Sequence, residues 1–338
     1  MTGREAVPIW LDCDPGHDDA FALLLTCHLP YFNLIGVSTV YGNSSLENTT
    51  QNALSILTAF KRTDIKVYAG ADKPLEKELS VASDIHGASG LNGTSLLPEP
   101  LTRAFPPDTA VLAMKGAIEK FPGKIAIVAT GTLTNVAKLV LEHPNVLPKI
   151  RQLSIMGGSF KLGNKTKWAE FNIWCDPEAA EIVLRNDILK AKTTLVPLNL
   201  THRAIATNEF LEKIRHSDSS TQPDQQLRQL LYELLTFFAS TYESQFGFET
   251  GPPIHDPLAV IALLEFYKDL QFSEPVPDID LDYTRNDIEV TIDGQKRGML
   301  SATRQETGVA VAASMNLPTF WQLILQAIDN CESTASKN

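Results

Sequence analysis

No run of about 18 uninterrupted apolar residues, the length a membrane-spanning helix requires, occurs in the 338 residues. Cysteine is sparse: Cys13, Cys27, Cys175 and Cys331 stand apart with no Cys-x-x-Cys pair, which speaks against a disulfide framework and against zinc held by thiolates. Basic residues are outnumbered, 29 Lys and Arg against 40 Asp and Glu, for a formal net charge of −11. A surface of that sign does not attract nucleic acid or anionic membrane. The N-terminus has no basic stretch followed by an apolar signal core, so a cytoplasmic setting with free thiols is expected, nuclear entry being left open. There is no internal repeat and no linker that would cut the chain in two.

Against this background one segment stands out. Asp12-Cys13-Asp14-Pro15-Gly16-His17-Asp18-Asp19 places four carboxylates in eight residues, directly after the apolar run Val7-Pro8-Ile9-Trp10-Leu11. Carboxylates this close raise each other's pKa and cannot all stay ionised in a folded site without a cation. A divalent metal is the simplest relief. The apolar run, the Pro-Gly turn and the following Ala20-Phe21-Ala22-Leu23-Leu24-Leu25 predict strand, tight turn and helix, the junction at which open parallel sheets bind ligands. An N-cap Asp with acidic first-turn neighbours is the plainer reading, but it accounts for one or two of the acids and not for the cluster.

Apolar, β-branched runs recur at Asn33 to Val40, Ile65 to Ala69, Lys124 to Thr130, Gln152 to Gly158 and Thr193 to Asn199. Helical patterns lie between most of them: Ser45 to Phe60, Thr109 to Lys120, Leu133 to Glu142 and Pro177 to Arg185. This alternation predicts an α/β fold, an open and mostly parallel sheet flanked by helices with a Rossmann-like core. Asp72 to Pro107 and Thr201 to Pro223 break the pattern and read as long functional loops. Helices are expected from about Gln225 to Phe246, over Asp256 to Phe266 and over Thr319 to Asn330, and the section Leu270 to Val311 should add small antiparallel strands. The whole chain, 1–338, is expected to be one domain, with a motif-bearing core at about 8–266 and 267–338 integral to it.

Four further segments could supply partners for the acids at strand ends. They are Tyr41-Gly42-Asn43, the turn Thr130 to Asn135 with an exposed carbonyl, the polar stretch from Met156-Gly157-Gly158 through Asn164, Glu170 and Asn172 to Asp176, and Ile254-His255-Asp256-Pro257. Each alone has a structural reading: Asn43 as a turn residue, the glycines as a tight turn, Asp256 as an N-cap ahead of a helical Pro. Their joint, ordered occurrence resembles the inosine/uridine-preferring nucleoside hydrolases, whose hallmark DxDPGxDD is Asp12 to Asp19 here. The resemblance continues through YGN (41–43), IHGxSGL (85–91), TGxLTN (130–135), MGG (156–158), AEFNxxxDPEAA (169–180) and HDP (255–257). It spans about Ile9 to Leu264 and is greatest with the eukaryotic uridine nucleosidases.

The resemblance implies the nucleoside hydrolase fold and Ca²⁺-dependent hydrolysis of the N-glycosidic bond of a ribonucleoside, with uridine as the expected substrate and cytidine and nicotinamide riboside as further ones. It implies a homodimer or homotetramer. Asp14, Asp19, Asp256 and the Thr130 carbonyl would be the hard oxygen ligands Ca²⁺ prefers. Catalysis would fall to Asp14 as general base, His255 as acid to the leaving base and Asn172. Asp18 would hold the ribose 2′-hydroxyl, Asn164 and Glu170 the 5′-hydroxyl and Asn172 the 2′- and 3′-hydroxyls, with Met156 under the sugar, Asn43 beside it and His86 on a glycine-flanked loop. Thr241 and Gln245, which share a helix face at i, i+4, are expected at the base; the alternative is an amphipathic core helix burying Tyr242 and Phe246. His17 is expected at the surface or behind the site, and His28, His143, His202 and His216 are given no chemistry. Competing readings are a purine-preferring hydrolase, a haloacid dehalogenase-like phosphatase, which also opens on strand and Asp-x-Asp, and a non-catalytic nucleoside-binding protein.

Overall fold

The computed structural model describes residues 5–216 and 224–335. Strand β1 (Val7–Cys13) is buried along its whole length, as a run of large apolar residues requires of a strand covered on both faces. Its alternation sorts the side chains: Ile9, Leu11 and Cys13 enter one hydrophobic cluster and Trp10 the other. β2 (Phe32–Thr39), β3 (Val67–Ala69), β4 (Ala126–Ala129), β5 (Gln152–Met156) and β6 (Thr193–Val196) extend the parallel sheet. The C-terminal section contributes β7 (Asp282–Val290), β8 (Leu300–Arg304) and β9 (Val309–Ser314). The sheet order is β3-β2-β1-β4-β5-β6-β9-β7-β8; β9 runs parallel to β6, and β7 antiparallel to both β8 and β9. This is the expected α/β architecture, an open and mostly parallel sheet flanked by helices, with its small antiparallel addition continuing the main sheet.

Chain order reverses at β1, which has β2 on one side and β4 on the other. That switch point opens a crevice beyond the carboxyl ends of the strands. Asp14 follows β1, Asn43 lies past β2, Thr130 follows β4 and Met156 closes β5. Helices Asp19–His28, Leu46–Ala59, Ala110–Lys120, Thr134–Glu142 and Pro177–Leu184 link the parallel strands. Their starts follow local chemistry: the Ser45 hydroxyl accepts from Asn48 N at 3.3 Å, and Asp176 Oδ1 accepts from Ala179 N at 3.1 Å, each satisfying a free amide of a first turn. Helix Asp256–Phe266 is buried continuously from Asp256 to Leu264. A helix apolar on every side must be surrounded by protein, and here that burial fixes Asp256 rigidly at the head of the helix.

One expectation changes. Thr201 to Pro223 is not one long loop: helix Asn208–Arg215 forms inside it, burying Phe210, Leu211 and Ile214 beneath a charged outer face. Three apolar residues among charges make too short a pattern to read as a helix; packing against the core supplies the rest. Residues 217–223 of that expected loop lie outside the described residues. Asp72 to Pro107 is irregular apart from one helical turn, Ser83–His86. No helix among the described residues is long and apolar enough to cross a membrane.

Candidate active site

The acidic turn after β1 is folded by its own amides. Gly16 N donates to Asp19 Oδ2 at 3.0 Å, and the Asn43 side chain bridges Asp14 O and Asp19 Oδ2, each at 3.1 Å. Asp18 occupies the N-cap position of helix Asp19–His28 but makes no capping bond; its Oδ2 accepts from His255 N at 3.2 Å instead. Asp256 is the first residue of its helix and not its cap. The plainer capping explanations therefore fail for both residues.

Asp18, Asp19 and Asp256 bring carboxylate oxygens within 4.8 Å of one another, all buried. Asp14 stands beside this trio, with Oδ2 accepting from Asn43 N at 2.7 Å and Oδ1 buried without a partner. Asp19 Oδ1 accepts from the Thr130 hydroxyl at 2.8 Å. Burial and the charge of Asp19 raise Asp14 well above the usual carboxylate range. The same two causes raise Asp18 to about 7. Asp256 is pushed well up by burial and then by Asp18, Asp19 and Asp14, and it shares a hydrogen bond with Asp19. Four mutually repelling buried acids and an orphaned carboxylate oxygen form a site short of positive charge. The all-oxygen donor set suits Ca²⁺, and the Thr130 carbonyl lies in the same place, accepting from Asn172 Nδ2 at 2.7 Å. Two glycines let the backbone crowd this carboxylate: a Cβ on Gly131 would stand 2.6 Å from Asp14 Oδ1, and one on Gly42 2.1 Å from Oδ2.

Above the acids opens a cavity. Asp18, Asn43, His86, Thr130, Met156, Asn164, Glu170, Asn172, His255 and Asp256 all line it, whereas Asp14 and Asp19 lie beneath. Glu170 has its own structural duty. Its Oε1 accepts from Asn172 N at 2.7 Å, and its Oε2 from Gly158 N at 2.9 Å and Ile173 N at 3.1 Å, which holds the turn after β5 against the next helix. Asn164 Oδ1 accepts from Phe171 N at 2.9 Å, leaving its amide nitrogen for Tyr242 or a ligand.

His255 has both ring nitrogens engaged, Nε2 2.8 Å from the Tyr242 hydroxyl and Nδ1 2.7 Å from the Thr201 hydroxyl. Burial, and then His202, lower its pKa well below the ordinary value. The expectation for helix Gln225–Phe246 needs correction: the face on the cavity is Phe238, Tyr242 and Phe246, while Gln245 is exposed and the Thr241 hydroxyl donates to Phe238 O at 2.9 Å. Packing of Tyr242 onto His255 sets the helix phase, which turns Thr241 and Gln245 off the cavity wall. His17 is fully buried, which leaves the second of its two expected places, behind the site. Residues the sequence reading passed over are Phe238, Lys165 and Phe171 in the wall, Thr201 behind His255, and Asn135, whose amide donates to Asp12 Oδ1 at 2.8 Å. Of these, Asn135 within the TGxLTN run and Phe171 within AEFNxxxDPEAA had a signal in the sequence.

The family described as inosine-uridine preferring nucleoside hydrolase matches residues 9–322. The uridine nucleosidase of Saccharomyces cerevisiae is 42% identical over 341 residues, covering 98% of each chain. The pyrimidine-specific ribonucleoside hydrolase RihA of Photobacterium profundum is 43% identical over 261 residues, 76% of this chain and 80% of that one. Among solved structures, a purine-preferring ribonucleoside hydrolase from Gardnerella vaginalis superposes with TM-score 0.83 at 25% identity, covering 97% of this chain and 99% of that one. A plant nucleoside hydrolase gives 0.82 at 29% identity, covering 96% and 99%.

Proposed function

The chain belongs to the inosine-uridine preferring nucleoside hydrolases and is a Ca²⁺-dependent enzyme hydrolysing the N-glycosidic bond of ribonucleosides; we propose that uridine is its preferred substrate and that the residues lining the cavity divide the work as follows. Support for the base preference comes from the pyrimidine-directed relatives. The observation that carries the chemistry is the acidic floor, Asp18, Asp19 and Asp256 within 4.8 Å, facing Tyr242 backed by His255 in one cavity.

Asp14, Asp19, Asp256 and the Thr130 carbonyl would hold the cation, with Asp18 beside them. When bound, Ca²⁺ supplies positive charge that acidifies the attacking water and fixes the ribose hydroxyls. Asp14 Oδ1, a buried carboxylate oxygen without a hydrogen-bond partner among the described residues, takes a proton from the water as its oxygen bonds to C1′. Asp18 accepts from the 2′-hydroxyl and Asn172 orients the 2′- and 3′-hydroxyls. Asn164 and Glu170 hold the 5′ end, with Glu170 acting through whichever lone pairs its three amide contacts leave. The C1′–N bond breaks through an oxocarbenium-like state, which Met156, Asn43 and the surrounding carboxylates favour over the neutral sugar. The departing base keeps the bonding electron pair and is met by the Tyr242 hydroxyl, behind which His255 and Thr201 form a chain able to pass a proton. Products are free base and ribose.

A single unit over 1–338, assembly as a homodimer or homotetramer and a cytoplasmic setting belong to the same reading; continuation of the main sheet through β9, β7 and β8 supports the first. The test is ribose release across uridine, cytidine, inosine, adenosine and nicotinamide riboside, with p-nitrophenyl phosphate as a control. Highest kcat/KM on uridine is expected. Higher kcat/KM on inosine would replace the base preference by the purine reading, and phosphate release without ribose release would overturn the whole assignment.

A further inference from the structure

Asn135, a fully buried residue that does not line the cavity, ties the ends of four strands together. Its amide nitrogen donates to Asp12 Oδ1 at 2.8 Å and to the Thr39 carbonyl at 3.0 Å. Its amide oxygen accepts from Ala71 N at 2.8 Å. A backbone N–H only donates, so the contact with Ala71 fixes which end of the amide is oxygen. Asp12 belongs to β1 and Thr39 ends β2; Ala71 lies just past β3, and Asn135 opens the helix after β4. Both amide hydrogens and the oxygen are thus used, a set of partners that an ionised Asp, with no hydrogen to give, could not satisfy. Gly70 makes room for the side chain, since a Cβ there would stand 2.4 Å from both amide heteroatoms.

The turn leading to Asn135 carries the Thr130 carbonyl, and both of its ends rest on Asp12. At the start, Thr130 N donates to the Asp12 carbonyl at 2.9 Å; at the end, Asn135 grips the Asp12 carboxylate. Between them Gly131 packs onto Asp14, where a Cβ would stand 2.6 Å from Oδ1. We propose that Asn135 is a positioning residue for the cation: by clamping this turn to β1 it sets the Thr130 carbonyl against the Asp14 carboxylate, two oxygen donors that come from different strands. The inference rests on the cation reading of the acidic floor. Any buried side chain with three hydrogen bonds contributes to stability; this one also holds two ligands in register, and groups that orient ligands from behind tune metal affinity.

The experiment is a calorimetric calcium titration of chelator-stripped wild type, Asn135→Ala and Thr194→Val, with thermal melts of each in chelator and ribose release across a calcium series. Thr194→Val is the structural control: it removes a comparably buried hydrogen bond, Gln152 Nε2 to Thr194 Oγ1 at 2.8 Å, at the opposite ends of the strands. Both variants should melt lower in chelator, because each leaves a buried partner unsatisfied. Asn135→Ala alone should weaken calcium binding, by roughly 10- to 100-fold, and its kcat should climb toward the wild-type value as added calcium fills the site. Should Asn135→Ala fail to fold, Asn135→Ser, which leaves a hydroxyl in the gap, supplies the same comparison. An unchanged calcium Kd in the Asn135 variant would overturn the proposal, and so would an equal weakening in Thr194→Val, since loss of stability would then account for both. A wild type that binds no calcium would refute the cation reading itself and this role with it.

Discussion

Asp256→Asn separates a cation site from a structural hydrogen-bond network, because the two demand opposite effects on stability. Asn matches the shape of Asp and can donate its amide N–H to Asp19, in place of the proton the two carboxyls share. Asp18 and Asp19 offer oxygens within 4.8 Å; full charges at that distance repel by about 3 kcal/mol per pair at an effective permittivity near 20. Burial and these neighbours hold the Asp256 pKa above its unfolded value. A carboxyl shifted this way contributes stability that is complete below about pH 4 and is lost as pH climbs toward the folded pKa. The cation-free wild type should therefore melt lower at pH 8.5 than at pH 5.5. The neutral Asn should flatten that slope and raise the cation-free Tm at pH 8.5 by roughly 2–6 °C, equivalent to about 1–2 kcal/mol in a chain of this size. Calcium reverses the order: at a thousandfold excess over Kd the wild type gains about 4 kcal/mol, while the variant, short one ligand charge, gains little. Thermal melts with calcium and with chelator at both pH values, plus ribose release, read all of this. Equal destabilisation of the variant in both states, with its calcium shift intact, would refute the cation site.

Two other outcomes follow from single side chains. Tyr242→Phe removes the hydroxyl that meets His255 Nε2 at the cavity wall and should lower kcat about 10²-fold or more with a smaller change in KM; an unchanged kcat measured at saturating uridine would take Tyr242 out of the proton path. Arg228, 2% exposed, donates to Glu332 Oε1 at 2.7 Å, to Asp329 Oδ1 at 2.6 Å and to Ile214 O at 3.0 Å, tying helix Gln225–Phe246 to the last helix, Leu317–Ala335. Arg228→Ala strands the buried Glu332 carboxylate and should cost about 3–5 kcal/mol, read as a lower urea midpoint at unchanged slope; a loss under 1 kcal/mol would show the cluster to be solvated.

What could be read from sequence follows the range of the physics. The acidic turn was legible because four carboxylates repel one another within eight residues, whatever the rest of the chain does. Helix Asp256–Phe266 announced itself by length and apolarity on all faces. The base-side wall did not. Phe238, Tyr242 and Phe246 have the i, i+4 spacing of any core stripe, and Thr241 with Gln245 has the same spacing one residue away; which stripe meets the cavity depends on Tyr242 packing against His255, a contact from another part of the chain. His17 illustrates the same limit, since its partners Asn92 and Phe237 lie far off in sequence. Helix Asn208–Arg215 was hidden because its three buried residues form too short a period to stand out from its charges.

The account is tested most directly by incubating the protein with uridine and following uracil and ribose together, once with calcium and once after chelation. Equimolar uracil and ribose, formed with calcium and suppressed at least a hundredfold by chelation, is the predicted result. Uracil formed at the same rate without the cation, or no cleavage of uridine or of any other ribonucleoside by calcium-loaded folded protein, would contradict the central claim.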